Sequence, residues 1–241
     1  MAGRLGPRAA APLALVLAAA LAAGGCAAAA SATPTAAPAT ATPVATLATA
    51  LPDDLCANTG VDCALQPGQY LAQAFQPPIG FTLLDDGWDN EAYVERAIQL
   101  VRGPVDEPTQ SLVIVSGPLD GPKGESGASG TTAAAFLTYL GTVPGITVAG
   151  RTAVLVGGLP ASQVDITVGK ANATLFQTPI SGTTDDPFLL RTKEKLRLIV
   201  EDVGTARVVF VLETFGGVSL ATFLTTEIQP FLASVTFPPA P

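Results

Sequence analysis

Hydrophobic and polar residues alternate with a period of two in several stretches of the chain. In segments 162–168 and 196–201, apolar side chains occupy every second position, and most positions between them are polar or charged. This alternation is typical of half-buried strands in an antiparallel sheet. Segment 208–212 is apolar on both faces, which indicates a central strand. Further strand candidates are segments 81–84, 93–101, 112–115 and 152–156.

Two glycine-containing segments predict hairpin turns between these strands. Segment 202–205 (DVGT) separates two of the apolar runs, and segment 157–160 (GGLP) separates two others. Turn formers between period-two segments favour direct hairpin connections, so we expect neighbouring strands to pair with each other.

Two segments have the wider periodicity of helices. Segment 131–140 follows a Gly/Ser-rich loop, and Ser129 or Thr131 is the expected cap. Segment 220–235 carries a longer apolar stripe, and Pro230 is expected to kink or split it. Strands in hairpins together with two helices predict an α+β fold, with a central antiparallel sheet flanked by helices.

The first 50 residues differ in composition from the rest and predict a leader followed by a tether. Residues 1–25 combine two arginines, an apolar run and small residues, which are the parts of a secretory signal peptide. The apolar run is shorter than the roughly 20 residues that a spanning helix needs. Residues 27–50 are uncharged and rich in Ala, Thr and Pro, which predicts a disordered tether. One globular domain is expected over 51–241.

Cys26 ends the small-residue stretch LAAGGC that begins at Leu21. This stretch resembles the bacterial lipobox, in which the cysteine receives a diacylglycerol and becomes the new N-terminus, although Ala23 stands where leucine is commonest. The resemblance implies a lipoprotein anchored through Cys26 at the extracytoplasmic face of the cell membrane. Ordinary signal cleavage, which would leave Cys26 as a free thiol, is the alternative.

Cys56 and Cys63 stand close together at the start of the predicted domain, among turn-forming residues. Two nearby cysteines in an exported chain usually form a disulfide, so we predict that these two pair. A structural zinc site is the alternative, but it requires four ligands, and the chain has no histidine and no further cysteine in the domain. We therefore expect neither a metal nor a cofactor.

The charge balance and the absence of histidine exclude several classes of function. The chain has 12 basic and 20 acidic residues, and loss of Arg4 and Arg8 with the leader would leave a net charge of −10. Such a chain repels nucleic acid, because nucleic-acid binders need clustered Lys and Arg. Without histidine, Ser-His-Asp and Cys-His catalytic arrangements are impossible.

The residues that could bind a ligand or take part in catalysis all have a simpler structural interpretation, which we favour in each case. The densest acidic cluster fits either a turn or a cation site, and the only tryptophan, Trp88, is expected at the edge of the core. Glycine-rich segment 117–130 lacks the phosphate-loop spacing, which leaves weak anion binding at the following helix as the alternative to a mobile connector. The acidic cluster consists of Asp85, Asp86, Asp89, Asn90 and Glu91.

Charged residues also occur within or beside the predicted strands. The basic cluster is expected on one solvated strand face, with an anion site as the alternative. Asp165 and Arg96 fit two solvent-facing residues, or else a pair across the sheet or a groove lining. The basic cluster consists of Arg191, Lys193, Lys195 and Arg197.

Three stretches resemble uncharacterised bacterial lipoproteins of the PsbP-like kind. They are segments 70–88, 136–148 and 157–166, and the end of the chain around 235–237 is also similar. The resemblance implies a single α/β/α sandwich with a central antiparallel sheet. Its motifs are structural, so it implies no catalytic residues and an accessory, non-enzymatic role.

The sequence therefore predicts a membrane-tethered, extracytoplasmic lipoprotein with a non-enzymatic binding role. Its partners would be the membrane, through the lipid anchor, and an envelope protein or a small ligand. A carrier of a small apolar molecule is the first alternative, and a carboxylate-based hydrolase is the second.

Overall fold

The computed structural model describes four stretches of the chain, residues 49–50, 64–104, 107–178 and 186–238. The chain divides into two units, Met1–Val44 and Ala45–Pro241, and every described residue belongs to the second unit. No helix within these stretches has the length and apolar character needed to cross a membrane.

An eight-stranded sheet forms the centre of the second unit, and all of its neighbouring strands run antiparallel. Two of its hairpins turn at the predicted glycine-containing positions, 157–160 and 202–205, because the left-handed backbone of a tight hairpin favours glycine. In order across the sheet, the strands are β2 (Ala64–Leu65), β5 (Trp88–Val94), β6 (Ala97–Arg102), β7 (Gln110–Ser116), β13 (Ala206–Thr214), β12 (Lys195–Val203), β9 (Leu159–Val168) and β8 (Ile146–Val156).

Two smaller sheets and two helical regions complete the described elements. β1 (Thr49–Ala50) pairs in parallel with β3 (Gly68–Ala72), which pairs antiparallel with β4 (Ile79–Leu83). β1 thus includes the last two residues of the predicted tether. The remaining elements are β10 (Ala173–Thr178), β11 (Asp186–Leu190), α1 (Ala133–Leu140), α2 (Leu220–Phe223), a π-helical segment (Leu224–Ile228) and α3 (Gln229–Ser234). The last three form one continuous C-terminal helix.

One face of the large sheet packs against the β3–β4 hairpin and the C-terminal helix. The ring of Phe81 on β4 lies 5.1 Å from that of Phe231 on α3, and Trp88 lies 6.2 Å from Phe223 on α2. Phe210 of the central strand β13 is fully buried in the same cluster. Aromatic side chains therefore fill the first core, and their burial is its main stabilising term.

The other face packs against α1 and the β10–β11 hairpin. Phe176 on β10 lies between Phe136 of α1 and Phe188 of β11, with ring-centroid distances of 6.2 and 5.2 Å. The hydroxyl of Tyr139 donates a hydrogen bond to the carbonyl oxygen of Leu175. Since both faces of the sheet are covered, its central strands have buried side chains on both sides.

The predicted α/β/α sandwich is wrong. The described residues are mostly antiparallel strand, and a β hairpin occupies part of the covering layer on each face where a helix was expected. The helices are short, with eight residues in α1. The strand predicted over 81–84 overlaps β4, whereas β3, β10 and β11 have only five or six residues each, which leaves too few alternating positions to distinguish them from loops.

Candidate functional site

A mixed-charge crevice lies where the ends of three strands meet the C-terminal helix. It is open to solvent and has a volume of about 630 Å³. Its polar lining comes from the turn before β5, from β5 itself, from the end of β6, from the start of β7 and from the π-helical segment. These polar residues are Asp86, Asp89, Arg102, Thr109, Gln110 and Glu227.

The β-ladder places the two hydrogen-bond donors of the crevice side by side. Arg102, the last residue of β6, lies directly opposite Gln110, the first residue of β7. On its other side, Arg102 lies opposite Trp88 at the start of β5. Directly opposite residues of antiparallel strands project to the same face, so the guanidinium and the amide both point toward the C-terminal helix.

Glu227 reaches these donors from the π-helical segment. Pro230 has no backbone N–H, and its ring disfavours an ordinary α-helical turn around Thr226, four residues earlier. The chain adopts the wider π turn immediately before Gln229, where a kink was expected. Single π turns inside helices are frequent at functional sites, and here the turn carries the one acidic residue of the C-terminal helix.

Both carboxylate oxygens of Glu227 are hydrogen-bonded. Arg102 Nη1 donates to Glu227 Oε2 at 2.5 Å, and Gln110 Nε2 donates to Oε1 at 3.0 Å. The side chains of Arg102 and Glu227 are 27% and 15% exposed, so this ion pair is only partly screened by water. Glu227 is therefore fixed in position, and the arginine keeps further N–H groups for other acceptors.

The acidic cluster predicted from the sequence is divided among several environments. Asp86 and Asp89 line the crevice, whereas Asp85 lines a separate small cavity beside Trp88. Glu91 accepts a hydrogen bond from Gln99, and burial, followed by the charge of Asp89, raises the pKa of Glu91. Within the described stretches, no three acidic side chains come close enough together to hold a metal ion.

The crevice has a negative charge overall. Asp86 and Glu227 supply two carboxylates and Arg102 supplies one guanidinium, whereas Asp89 lies opposite Val101, in line with Ser111, so its side chain alternates to the other face of the sheet. Of the lining residues, the sequence singled out only the two aspartates, because the other members are far apart in the chain. The arrangement suits a bound cationic group, which Asp86 would attract while the Arg102–Glu227 pair stays closed.

The basic cluster does not form one strand face. Lys195 and Arg197 lie on β12, but Arg191 and Lys193 lie in the turn before it, where Lys193 has a φ of 68°. Arg197 forms a two-pronged ion pair with Asp165 on β9, at 2.7 and 3.1 Å. Asp165 thus pairs across the sheet, although with Arg197 and not with Arg96.

The glycine-rich segment 117–130 is held by two arginines. Arg207, fully buried on β13, donates to the carbonyls of Gly117, Ser129 and Gly130, and its guanidinium lies 4.6 Å from the ring centre of Phe136. Arg96 donates to the carbonyl of Ser116, just before the segment, and to the carbonyl of Pro118 within it. These contacts indicate that segment 117–130 is a structural connector.

The start of α1 is already occupied by side chains of the protein. The cap is Thr132, whose hydroxyl accepts the N–H of Ala135, in place of the expected Ser129 or Thr131. The carboxylate of Asp202 accepts the N–H of Ala133 at 2.7 Å. An external anion would have to displace this carboxylate, which argues against an anion site here.

Two buried glutamates escaped the sequence analysis. Glu201 on β12 is fully buried, and Glu213 on β13 is 6% exposed. Burial, the larger cause, and the charge of Asp202 raise the pKa of Glu201 to about 8, whereas burial and the nearby Glu194 raise that of Glu213. In a sheet covered on both faces, a polar residue between apolar ones does not mark a solvent-exposed position.

Cys26, Cys56 and Cys63 lie outside the described residues. The lipid anchor at Cys26 and the disulfide between Cys56 and Cys63 therefore stay predictions.

No protein-family model matches the chain, and no curated protein matches it. A crystal structure of a protein from Bacteroides thetaiotaomicron VPI-5482 is 10% identical, with a TM-score of 0.42 over 72% of this chain and 49% of that one. The solution structure of cyanobacterial PsbP (CyanoP) from Synechocystis sp. PCC 6803 is 10% identical, with a TM-score of 0.40 over 75% and 95%. The chain spans about half the length of the Bacteroides protein. A PsbP-like protein is thus among its distant structural neighbours, and the chain is assigned to no family.

Proposed function

We propose that this protein is a membrane-tethered, extracytoplasmic binding domain whose crevice receives a cationic group of its partner. The tether is the segment after Cys26, and the anchor is the lipid that Cys26 carries. The observation that supports the binding role is the crevice itself, in which Asp86 lies beside the fixed Arg102–Glu227 pair. A primary or secondary amine of an envelope polymer, polypeptide or small ligand has the complementary charge.

The interior of the domain, as far as the structure describes it, gives the carrier hypothesis no support. The small cavity between β4 and the C-terminal helix has a volume of about 20 Å³, enough for about one water molecule. An apolar ligand would need a cavity on the order of 300 Å³. The aromatic side chains within each core pack against one another. We therefore favour a binding role through the open crevice over the carriage of an apolar ligand inside the domain.

Among the described residues, Glu213 and Glu194 are the acids that best fit the hydrolase hypothesis. Burial, followed by the charge of Glu194 and a hydrogen bond with it, raises the pKa of Glu213. However, Glu213 lies opposite Ser111, which alternates to the other face of β7 from Gln110, so the pair is on the far side of the sheet from the crevice. A carboxyl that is 6% exposed leaves little access for a substrate. A non-enzymatic role is therefore proposed.

Spermidine is a suitable probe for the crevice, because it carries several amines and little else. We expect saturable chemical-shift changes at the amides of Gly87 and Gly103 when the full chain is titrated in detergent. The variant Asp86→Asn should bind about fivefold more weakly, or about 1 kcal/mol, because an attractive charge is lost. Binding should also weaken with added salt.

The matched control is Glu95→Gln, which changes the net charge equally at an exposed site outside the crevice. This control should bind spermidine as the unmodified chain does. Equal weakening in the two variants would mean that spermidine responds to net charge alone, and it would contradict a specific role for the crevice.

A further inference from the structure

β8 (Ile146–Val156) is the longest strand of the large sheet and forms one of its edges. Its inner side pairs with β9, and no described strand pairs with its outer side. The opposite edge is the two-residue strand β2. An unpaired edge presents a row of backbone N–H and C=O groups, which can pair with a further extended strand.

The composition of β8 does little to prevent such pairing. Native proteins commonly protect edge strands with Lys, Pro or a covering element, yet β8 contains no Lys, Pro, Asp or Glu. Residues 149–153 are exposed on both faces of the sheet, so no other described element covers the middle of the strand. A bulge between Ala149 and Thr152 bends the strand and leaves a regular half from Thr152 to Val156.

Two exposed side chains, one in the bulge and one on the regular half, indicate what would bind there. Arg151 lies in the bulge immediately before the regular half, and Leu155 lies four residues further along the strand. Leu155 is 64% exposed, the largest value among the bulky apolar residues that the structure describes as exposed. Arg151 is the only charged residue of β8 and has no ion pair with any described residue.

We propose that β8 is a docking edge for an extended partner segment, which carries a carboxylate against Arg151 and an apolar side chain against Leu155. The backbone of the segment would continue the sheet, and the two side-chain contacts would fix its register. The charge of Arg151 favours a segment of another protein over a second copy of this chain. Pairing of two β8 strands would bring two Arg151 side chains into one interface in which neither strand has a carboxylate.

This inference is independent of the crevice, and its test separates the two. The probe is the nine-residue peptide Thr-Thr-Leu-Thr-Val-Thr-Glu-Thr-Thr, in which Leu and Glu have the spacing of Leu155 and Arg151. We expect it to bind the full chain in detergent and to protect β8 amides from hydrogen exchange. The variant Arg151→Glu should weaken this binding at least tenfold and should gain binding to the same peptide with Lys in place of Glu.

The matched control is Lys170→Glu, which makes the same change of charge at an exposed turn residue after β9. Lys170→Glu and the crevice variant Asp86→Asn should both bind the acidic peptide as the unmodified chain does. The proposal is overturned if the peptide does not bind, or if it binds without protecting β8 amides. It is also overturned if the charge exchange fails to restore binding, or if the chain alone dimerises through β8.

Discussion

Raising the pH from 5 to 9 is expected to lower the free energy of unfolding by several kcal/mol, with Glu201 as a principal cause. Glu201 is fully buried, and neither of its carboxyl oxygens has a hydrogen-bond partner among the described residues. Its pKa is raised from 4.5 to about 8, so the folded protein holds this proton over a range where the unfolded chain has lost it. The stability that Glu201 contributes is therefore fully present below about pH 4.5 and is lost as the pH rises to about 8.

The size of this effect follows from the linkage between the pKa and stability. Each pKa unit corresponds to about 1.4 kcal/mol, so the contribution of Glu201 is roughly 3–5 kcal/mol once the group is ionised. Denaturant unfolding across the pH range measures it directly. The variant Glu201→Gln should resemble the unmodified protein near pH 4.5 and exceed its stability at pH 9, because an amide does not ionise.

The variant Glu213→Gln is the companion measurement, because burial and Glu194 also raise the pKa of Glu213. This variant should remove the part of the pH-dependent loss of stability that is due to Glu213 and leave the part that is due to Glu201. The explanation for Glu201 would be contradicted if Glu201→Gln lost stability with pH as steeply as the unmodified protein does.

The variant Arg207→Met is expected to destabilise the domain by about 3 kcal/mol and to loosen segment 117–130 first. The guanidinium donates to Ser129 O at 2.8 Å and to Gly130 O at 2.7 Å, and it also donates to Gly117 O. Methionine has a similar volume but no donor, so these inward-facing carbonyls would lose their partners. Denaturant unfolding gives the loss of stability, and amide exchange in segment 117–130 locates it.

The matched control is Arg197→Met, which removes a partly exposed arginine that forms an ion pair with Asp165. Surface ion pairs contribute at most about 1 kcal/mol, so this variant should remain close to the unmodified protein. The structural role assigned to Arg207 would be contradicted if the two methionine variants lost equal stability.

Individual strands were predicted correctly where apolar side chains occupy every second position along the chain. Segments 162–168 and 196–201 lie within β9 and β12, and their turns are at the predicted glycines. The predicted strand 93–101 is instead two strands, because the chain reverses at Glu95 and Arg96. The residues on both sides of this turn are mostly apolar, so periodicity alone did not reveal the reversal.

The candidate site was only partly predictable. Asp86 and Asp89 were recognised because they stand close together in the sequence, whereas Arg102, Gln110 and Glu227 meet only through the sheet register and the π turn. Glu227 had one local indication, since it is the only acidic residue in the apolar stripe of the C-terminal helix and precedes the proline that disturbs that helix. Contacts between distant segments depend on tertiary structure, which local patterns do not determine.

The proposal that this domain works at a membrane surface rests on Cys26, and intact mass spectrometry of the native, detergent-extracted protein tests it most directly. The predicted result is a mature chain that begins at Cys26 and carries a diacylglyceryl group. The variant Cys26→Ala should lack this added mass, because it has no thiol at position 26 to receive the diacylglyceryl group. An unmodified mature chain from the native protein would contradict the anchor, and the domain would then be a freely secreted one.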